Sequence, residues 1–187
     1  MDQRKPANIA MRGSMTEPRP ASTRRIGNVM AAAAWIVLLT MLTFYFSDVL
    51  DRRHNPNREL TSRIDEQGRP EVVLERNRKG HYLTPGTING ASVLFLLDTG
   101  ATGVALSEAV AERIGLKRGR PIHTQTANGV AIAYLTRLDR VTVGPIEQRG
   151  ITATISPGLD TEEVLLGMSF LKHLELTQRG NTLTLRQ

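Results

Sequence analysis

Asp98 is the residue of this 187-residue sequence best set up for chemistry. It follows the apolar run Val93-Leu94-Phe95-Leu96-Leu97 and precedes Thr99-Gly100-Ala101-Thr102. A carboxylate at the end of a buried strand is costly unless something stabilises its charge. Gly100 lets the backbone approach a neighbouring segment closely or take positive φ, and the Thr99 hydroxyl can bond across to another segment. The chemistry open to such a group is proton transfer to or from a water or a carbonyl. The plain alternative is an Asp in an ordinary turn, and the surroundings favour the functional reading. The helix-like segment SEAVAERIGL follows closely, and the hairpin signal Thr126-Ala127-Asn128-Gly129 lies downstream. Val164-Leu165-Leu166-Gly167 then repeats the order of apolar residues, glycine and short helix.

The elements that must position these residues read as β. Val72-Val73-Leu74 is a short strand, and residues 82–88 form another, interrupted at Pro85-Gly86. Asn89-Gly90 makes a tight turn into residues 93–97, a continuous apolar run expected to be buried on both faces. Ser107 caps a helix over 108–114, stopped by Gly115. Residues 122–127 and 130–135 pair around a two-residue turn at Asn128-Gly129. Strands at 138–143 and 151–155, a short helix after Gly167, and a last hairpin turning at Gly180-Asn181 complete an all-β barrel or sandwich.

Three segments in this order, FLLDTGATGVALS (95–107), TANG (126–129) and LLGMSFL (165–171), resemble the retropepsin-like aspartic proteases, and specifically their small membrane-anchored bacterial members. The resemblance covers about residues 79–187 and implies a closed β-barrel domain with one or two short helices. It implies that Asp98 is the catalytic carboxylate, that Thr99 braces the two halves, and that Gly100, Ala101 and Thr102 complete the active-site loop. Thr126, Ala127, Asn128 and Gly129 would form the tip of a mobile flap. Leu165, Leu166 and Gly167 would form the loop that supports the catalytic turn in a ψ-shaped arrangement.

That chemistry needs two carboxylates, one ionised to take a proton from water and one protonated to polarise the scissile carbonyl. The chain has one such motif, because Asp139 and Asp160 lack both the apolar lead-in and the Thr-Gly. A symmetric homodimer with two Asp98 side chains on its two-fold axis is therefore expected. Its substrate would be a peptide or protein held as an added strand, with Val104, Ile132 and Leu165 lining the cleft. Ala101 stands where digestive-type relatives commonly carry a hydroxyl. Without that donor, a mildly acidic to near-neutral optimum is expected.

Other readings fall away. Gly167-Met168-Ser169-Phe170-Leu171 begins like a nucleophile elbow but lacks its final glycine. His54, His81, His123 and His173 show no metal-ligand spacing, so neither metal nor cofactor is expected. The Asp98 turn also resembles the phosphate-binding turn of actin-like kinases, but about 110 residues cannot build their two lobes. The rival from another class is a catalytically silent, anchored peptide-binding or scaffold domain of the same fold.

Charge and hydropathy set the organisation. Residues 1–25 carry a net charge of +4, residues 26–47 none, and residues 48–79 and 80–187 +1 each. The nearly neutral body lacks the basic face a nucleic-acid partner requires. With no cysteine, disulfides and thiolate chemistry are excluded. Residues 29–46 are uncharged, and about 20 such residues cross a bilayer of roughly 30 Å. No A-x-A-like site follows them, so an uncleaved single-pass anchor contacting lipid through residues 26–47 is expected rather than a signal peptide. Arg24-Arg25 has no twin-arginine c-region after it. Six basic residues precede the span against Arg52, Arg53, Arg58 and Arg63 soon after it, a bias that favours a cytoplasmic N-terminus and an exported body; with the bacterial resemblance, an inner-membrane anchor and a periplasmic domain are expected. The expected organisation is a disordered tail (1–25), a transmembrane helix (26–47), a polar linker (48–71) and the protease-like domain (72–187). The Arg-rich stretch at 51–79, read as unstructured, is a candidate self-cleavage region.

Overall fold

The computed structural model describes residues 21–126 and 129–187, so the expected tail over residues 1–20 and the tip residues Ala127 and Asn128 lie outside the described residues. Two units divide at Phe46 and Ser47.

Helix α1 (Ala21–His54) takes its first turn from residues assigned above to the basic tail. Its residues 26–54 form the one described helix long and apolar enough to cross a membrane, with a mean hydropathy of 2.1 over its most apolar stretch. The polar side chains inside that stretch are satisfied within the helix. Thr40 donates to the Ile36 carbonyl and Thr43 to the Leu39 carbonyl, each at 2.8 Å.

Residues 48–71 are not a featureless linker. After the end of α1 they hold strand β1 (Thr61–Ile64) and the start of β2 (Pro70–Glu75). The buried Asn57 side chain donates to the carbonyls of Glu75 and Leu83 and accepts the Glu75 amide. Short polar strands like β1, whose four residues are all exposed, carry no hydrophobic alternation to betray them.

The body is mostly β with short helices. In chain order follow β3 (Leu83–Ile88), β4 (Ala91–Leu97), β5 (Val104–Ser107), α2 (Glu108–Arg113), β6 (Pro121–Thr126) and β7 (Gly129–Val143). Then come β8 (Ile146–Ser156), β9 (Glu163–Leu166), α3 (Met168–Leu171), β10 (Glu175–Arg179) and β11 (Thr182–Arg186). One sheet runs β1-β2-β11-β10 and the other β3-β4-β9-β5-β8-β7-β6, with β3 also pairing to β7. The core between them is apolar, built on Val72, Leu74, Ile88, Phe95, Leu106, Leu138, Ile155, Leu166, Phe170 and Leu185.

Local chemistry explains most of these elements. Asn89 and Gly90 both take positive φ, 51° and 89°, in the turn from β3 to β4. Strand β3 runs unbroken through Pro85-Gly86 because Gly86 lies against Phe95 and the Thr142 carbonyl, where a β-carbon would come within 2.3 Å of that oxygen. Ser107 caps α2 by accepting the Val110 amide at 3.3 Å. The expected strands at 130–135 and 138–143 are one long β7. Its pairing with β6 closes on Thr126 and Gly129, so the two connecting residues are 127 and 128 rather than 128 and 129. Strand β4 is fully buried on one face only: Val93 and Phe95 are buried, whereas Leu94, Leu96 and Leu97 are half-buried.

Candidate active site

The position of Asp98 follows from the strand order. Strands β4 and β9 run parallel, pairing Leu97 with Leu166, so both chains leave the sheet at the same end. Strand β9 lies between β4 and β5. The loop 98–103, which joins β4 to β5, must therefore arch across the end of β9. The Asp98 amide donates to the Leu166 carbonyl at 3.2 Å, and the Met168 amide donates to the Ala101 carbonyl at 2.9 Å. Gly167 sits beneath the arch, against the Ala101 and Gly103 carbonyls. Leu165, Leu166 and Gly167 are thus brought directly to the loop that carries Asp98.

The loop also folds on its own carboxylate. Asp98 is half-buried, and its Oδ1 accepts the Gly100 amide at 2.9 Å. The Ala101 amide donates to the Asp98 carbonyl at 3.2 Å, closing the turn. A β-carbon on Gly100 would lie 3.2 Å from Oδ1. Close approach, not positive φ, is the use made of this glycine. Thr99 and Thr102 are exposed, and the Thr99 hydroxyl has no hydrogen bond to the described residues. In this single chain the half-buried carboxylate is held through Oδ1 by one backbone amide, that of Gly100.

One supporting side chain was missed by reasoning from sequence. Ser169, in α3, accepts the Val104 amide at 3.1 Å and donates to the Thr152 carbonyl at 3.2 Å. It ties the return of the loop into β5 to strand β8. Its only signal was its place in the LLGMSFL segment, where a hydroxyl two residues after a loop-supporting glycine reads as filler.

The remaining predicted positions separate. The Thr126–Gly129 pair ends the β6–β7 hairpin. Of the expected cleft positions, Val104 is fully buried in the core, whereas Ile132 is 54% exposed on the hairpin face opposite buried Ala133. Asp139 lies within β7, and Asp160 in the loop that enters β9 at the end remote from Asp98. Among the described residues no group of three or more His, Asp or Glu is placed to hold a metal ion.

Carboxylates away from the loop serve the fold. Glu71, almost fully buried, receives Arg186 at 2.7 Å and Arg63 at 2.5 Å. Hydrogen bonds from Arg186, then from Arg63, hold its pKa below the usual carboxylate range, against the opposing effect of burial. Glu163 is likewise lowered, first by the Thr161 hydroxyl and less by His54, which approaches it at 3.1 Å.

Comparison with known proteins agrees with this arrangement. Residues 84–173 match the model of the family described as "gag-polyprotein putative aspartyl protease". The crystal structure of a retropepsin-like aspartic protease from Rickettsia conorii superposes with a TM-score of 0.53 at 27% sequence identity, covering 68% of this chain and 95% of that one. An uncharacterized protein encoded in the cobV 5′ region of a Sinorhizobium species is 40% identical over 126 residues, 65% of this chain and 54% of its own. An uncharacterized protein of Rickettsia prowazekii is 30% identical over 108 residues, 56% of this chain and 46% of its own. The chain spans about half the length of these two curated relatives. The Asp-Thr-Gly loop arched over the end of β9, the matched segment and the shared fold point one way: residues 84–173 match the aspartyl protease family model, and the domain around them is similar in fold to a retropepsin-like aspartic protease.

Proposed function

We propose that this chain is an aspartic endopeptidase that hydrolyses peptide bonds with two Asp98 carboxylates, one from each copy of a symmetric homodimer. The observation that carries the reading is the Asp98 loop itself. Its half-buried carboxylate is oriented by the Gly100 amide, and the loop is buttressed by Leu166 and Gly167. Two such groups facing one another share a proton, because like charges at short range cannot both ionise at low cost. The ionised member takes a proton from water as it attacks the carbonyl carbon. The protonated member gives its proton to the carbonyl oxygen, and the resulting diol collapses with proton transfer to the departing amine.

Thr99 fits the role of a brace between copies, since it is exposed and unengaged by the described residues of its own chain. The β6–β7 hairpin, with Thr126, Ala127, Asn128 and Gly129 at its tip, fits a flap that closes over an extended substrate and limits bulk water. The β3–β7 pairing supports reading the larger sheet as a closed barrel. The exposed apolar α1 supports a membrane anchor, the excess of basic residues ahead of it supports a cytoplasmic N-terminus with the β domain periplasmic, and confinement to a membrane would favour pairing of copies.

The test compares the full chain with its Asp98→Ala form on a peptide library. Cleavage by the first and not the second supports the enzyme. Binding by both without cleavage supports the scaffold reading instead.

A further inference from the structure

Arg76 is a cation held in place with no anion to meet. Its amide donates to the Asn181 carbonyl at 2.8 Å, in the β10–β11 turn, which fixes the backbone. Its guanidinium lies 5.5 Å from the centroid of the Tyr82 ring, and Nε donates to the Tyr82 hydroxyl at 3.4 Å. Arg63, Arg69, Arg118 and Arg186 each pair with a carboxylate. Arg76 pairs with none among the described residues, and residues 76–97 contain no Asp or Glu. The residue is half-buried. A guanidinium fixed on an aromatic ring and partly withdrawn from water still has its two terminal nitrogens to offer as a fork.

The same loop lies beside the Asp98 turn. Strands β3 and β4 pair Leu83 with Leu96, and the Leu97 amide donates to the Tyr82 carbonyl at 3.0 Å. Tyr82 and Leu97 thus form the last rung, and His81 and Asp98 are each one residue beyond it. Buried Asn77 shapes the turn that leads into this rung. Its Oδ1 accepts the Lys79 and His81 amides, and its own amide donates to the His81 carbonyl. Arg78 and Lys79 are exposed in this turn and likewise meet no carboxylate among the described residues. Three cations therefore stand within a few residue steps of Asp98, each step spanning about 3.8 Å. Their field reaches about 8 Å at physiological salt.

We propose that Arg76, supported by Arg78 and Lys79, selects peptides that carry an Asp or Glu near the cut bond. The inference rests on the reading that the peptide lies across the Asp98 loop. An extended chain advances about 3.3 Å per residue, so an acidic side chain about two to four residues from the scissile carbonyl reaches this loop. There the guanidinium takes the carboxylate through paired hydrogen bonds. A neutral side chain leaves the fork unmatched, and a basic one is repelled.

The test uses the full chain in detergent and a peptide library whose cleavage products are sequenced by mass spectrometry. Asp and Glu should be enriched at one or two positions within about four residues of the cut. A cleaved peptide is then remade with Gln, and separately with Lys, in place of that acid. The acidic form should have the higher kcat/KM. Arg76→Gln should reduce its advantage over the Gln form on the order of tenfold, the size of one charge-assisted hydrogen bond. Arg76→Lys should restore part of it, and Arg76→Glu should turn the preference toward the Lys form, a reversal that a damaged fold cannot produce. Arg78→Gln with Lys79→Gln, both on the surface, should lower the same ratio by up to about fivefold per cation.

Cleavage without acidic enrichment overturns the proposal, and so does a ratio that Arg76→Gln and Arg76→Glu leave unchanged. Capture of the same library by the Asp98→Ala chain separates this inference from the enzyme reading. Acidic peptides captured while the wild type cleaves nothing would remove the enzyme and keep the selection. Neither capture nor cleavage would remove both.

Discussion

Gly167 lies so close to Gly103 that a β-carbon on it would sit 2.2 Å from the Gly103 carbonyl oxygen and 2.6 Å from that of Ala101. These are backbone atoms of the loop that carries Asp98, so no side-chain rotation can relieve the contact. Gly167→Ala must push the loop off the end of β9. We expect a loss of about 3 kcal/mol of stability, at the upper end for overpacking, and loss of peptide cleavage. Thermal melting and turnover of the full chain check both.

If each copy supplies one carboxylate, inactive chains should poison active ones. Mixing Asp98→Ala with an equal amount of wild type, after subunits exchange, leaves about a quarter of the dimers with two carboxylates. Activity should fall to about that fraction of an all-wild-type sample of equal total concentration. Retention of about half would mean that each chain works alone.

Ser169→Ala removes the acceptor of the Val104 amide and the donor to the Thr152 carbonyl. A net cost of about 1–2 kcal/mol is expected for the lost bonds. Because Ser169 braces the loop without being part of it, kcat should fall more than KM rises, and Ser169→Thr should restore part of the loss. Equal melting temperatures and equal kinetics for all three forms would show that the bonds do not matter.

How much was legible follows from the length of the signals. Asn89-Gly90, the Ser107 cap and the final hairpin each announce themselves within two to four residues and appear where expected. The Asp98 loop and its Leu165-Leu166-Gly167 support were readable because both are apolar runs ending in unusual residues. Strand β9 was not, since its four residues show no alternation and it earns its place by lying between β4 and β5. Val104, buried in the core, was misplaced for a related reason: which face of a strand looks inward depends on its sheet partners, not on its own composition.

Glu71 gives the fold an acid-sensitive joint. Its pKa is lowered on folding from an ordinary value of 4.5. The stabilisation is therefore present above that value and lost as pH falls through the lower, folded one. Glu71→Gln should cost about 2 kcal/mol near neutral pH, less than a fully buried pair because Arg63 is 66% exposed. It should also flatten the fall in stability below pH 4.5. Urea midpoints across that range measure it; an unchanged slope would remove Glu71 from the account.

Ala101→Ser would introduce a hydroxyl into the Asp98 turn. A donor there favours the ionised form of the carboxylate pair, so the acidic limb of the pH–rate profile should move toward lower pH. A profile that does not move acidward counts against the idea that the missing hydroxyl sets the optimum.

Asn57 binds both Glu75 and Leu83 through its side chain, only three residues past the end of α1. A nick between residues 58 and 60 would cut this residue away from strands it holds and leave a frayed, weakened product. Soluble shedding of an intact β domain is thus confined to bonds ahead of Asn55, and a detached fragment should keep Asn57 near its new amino terminus.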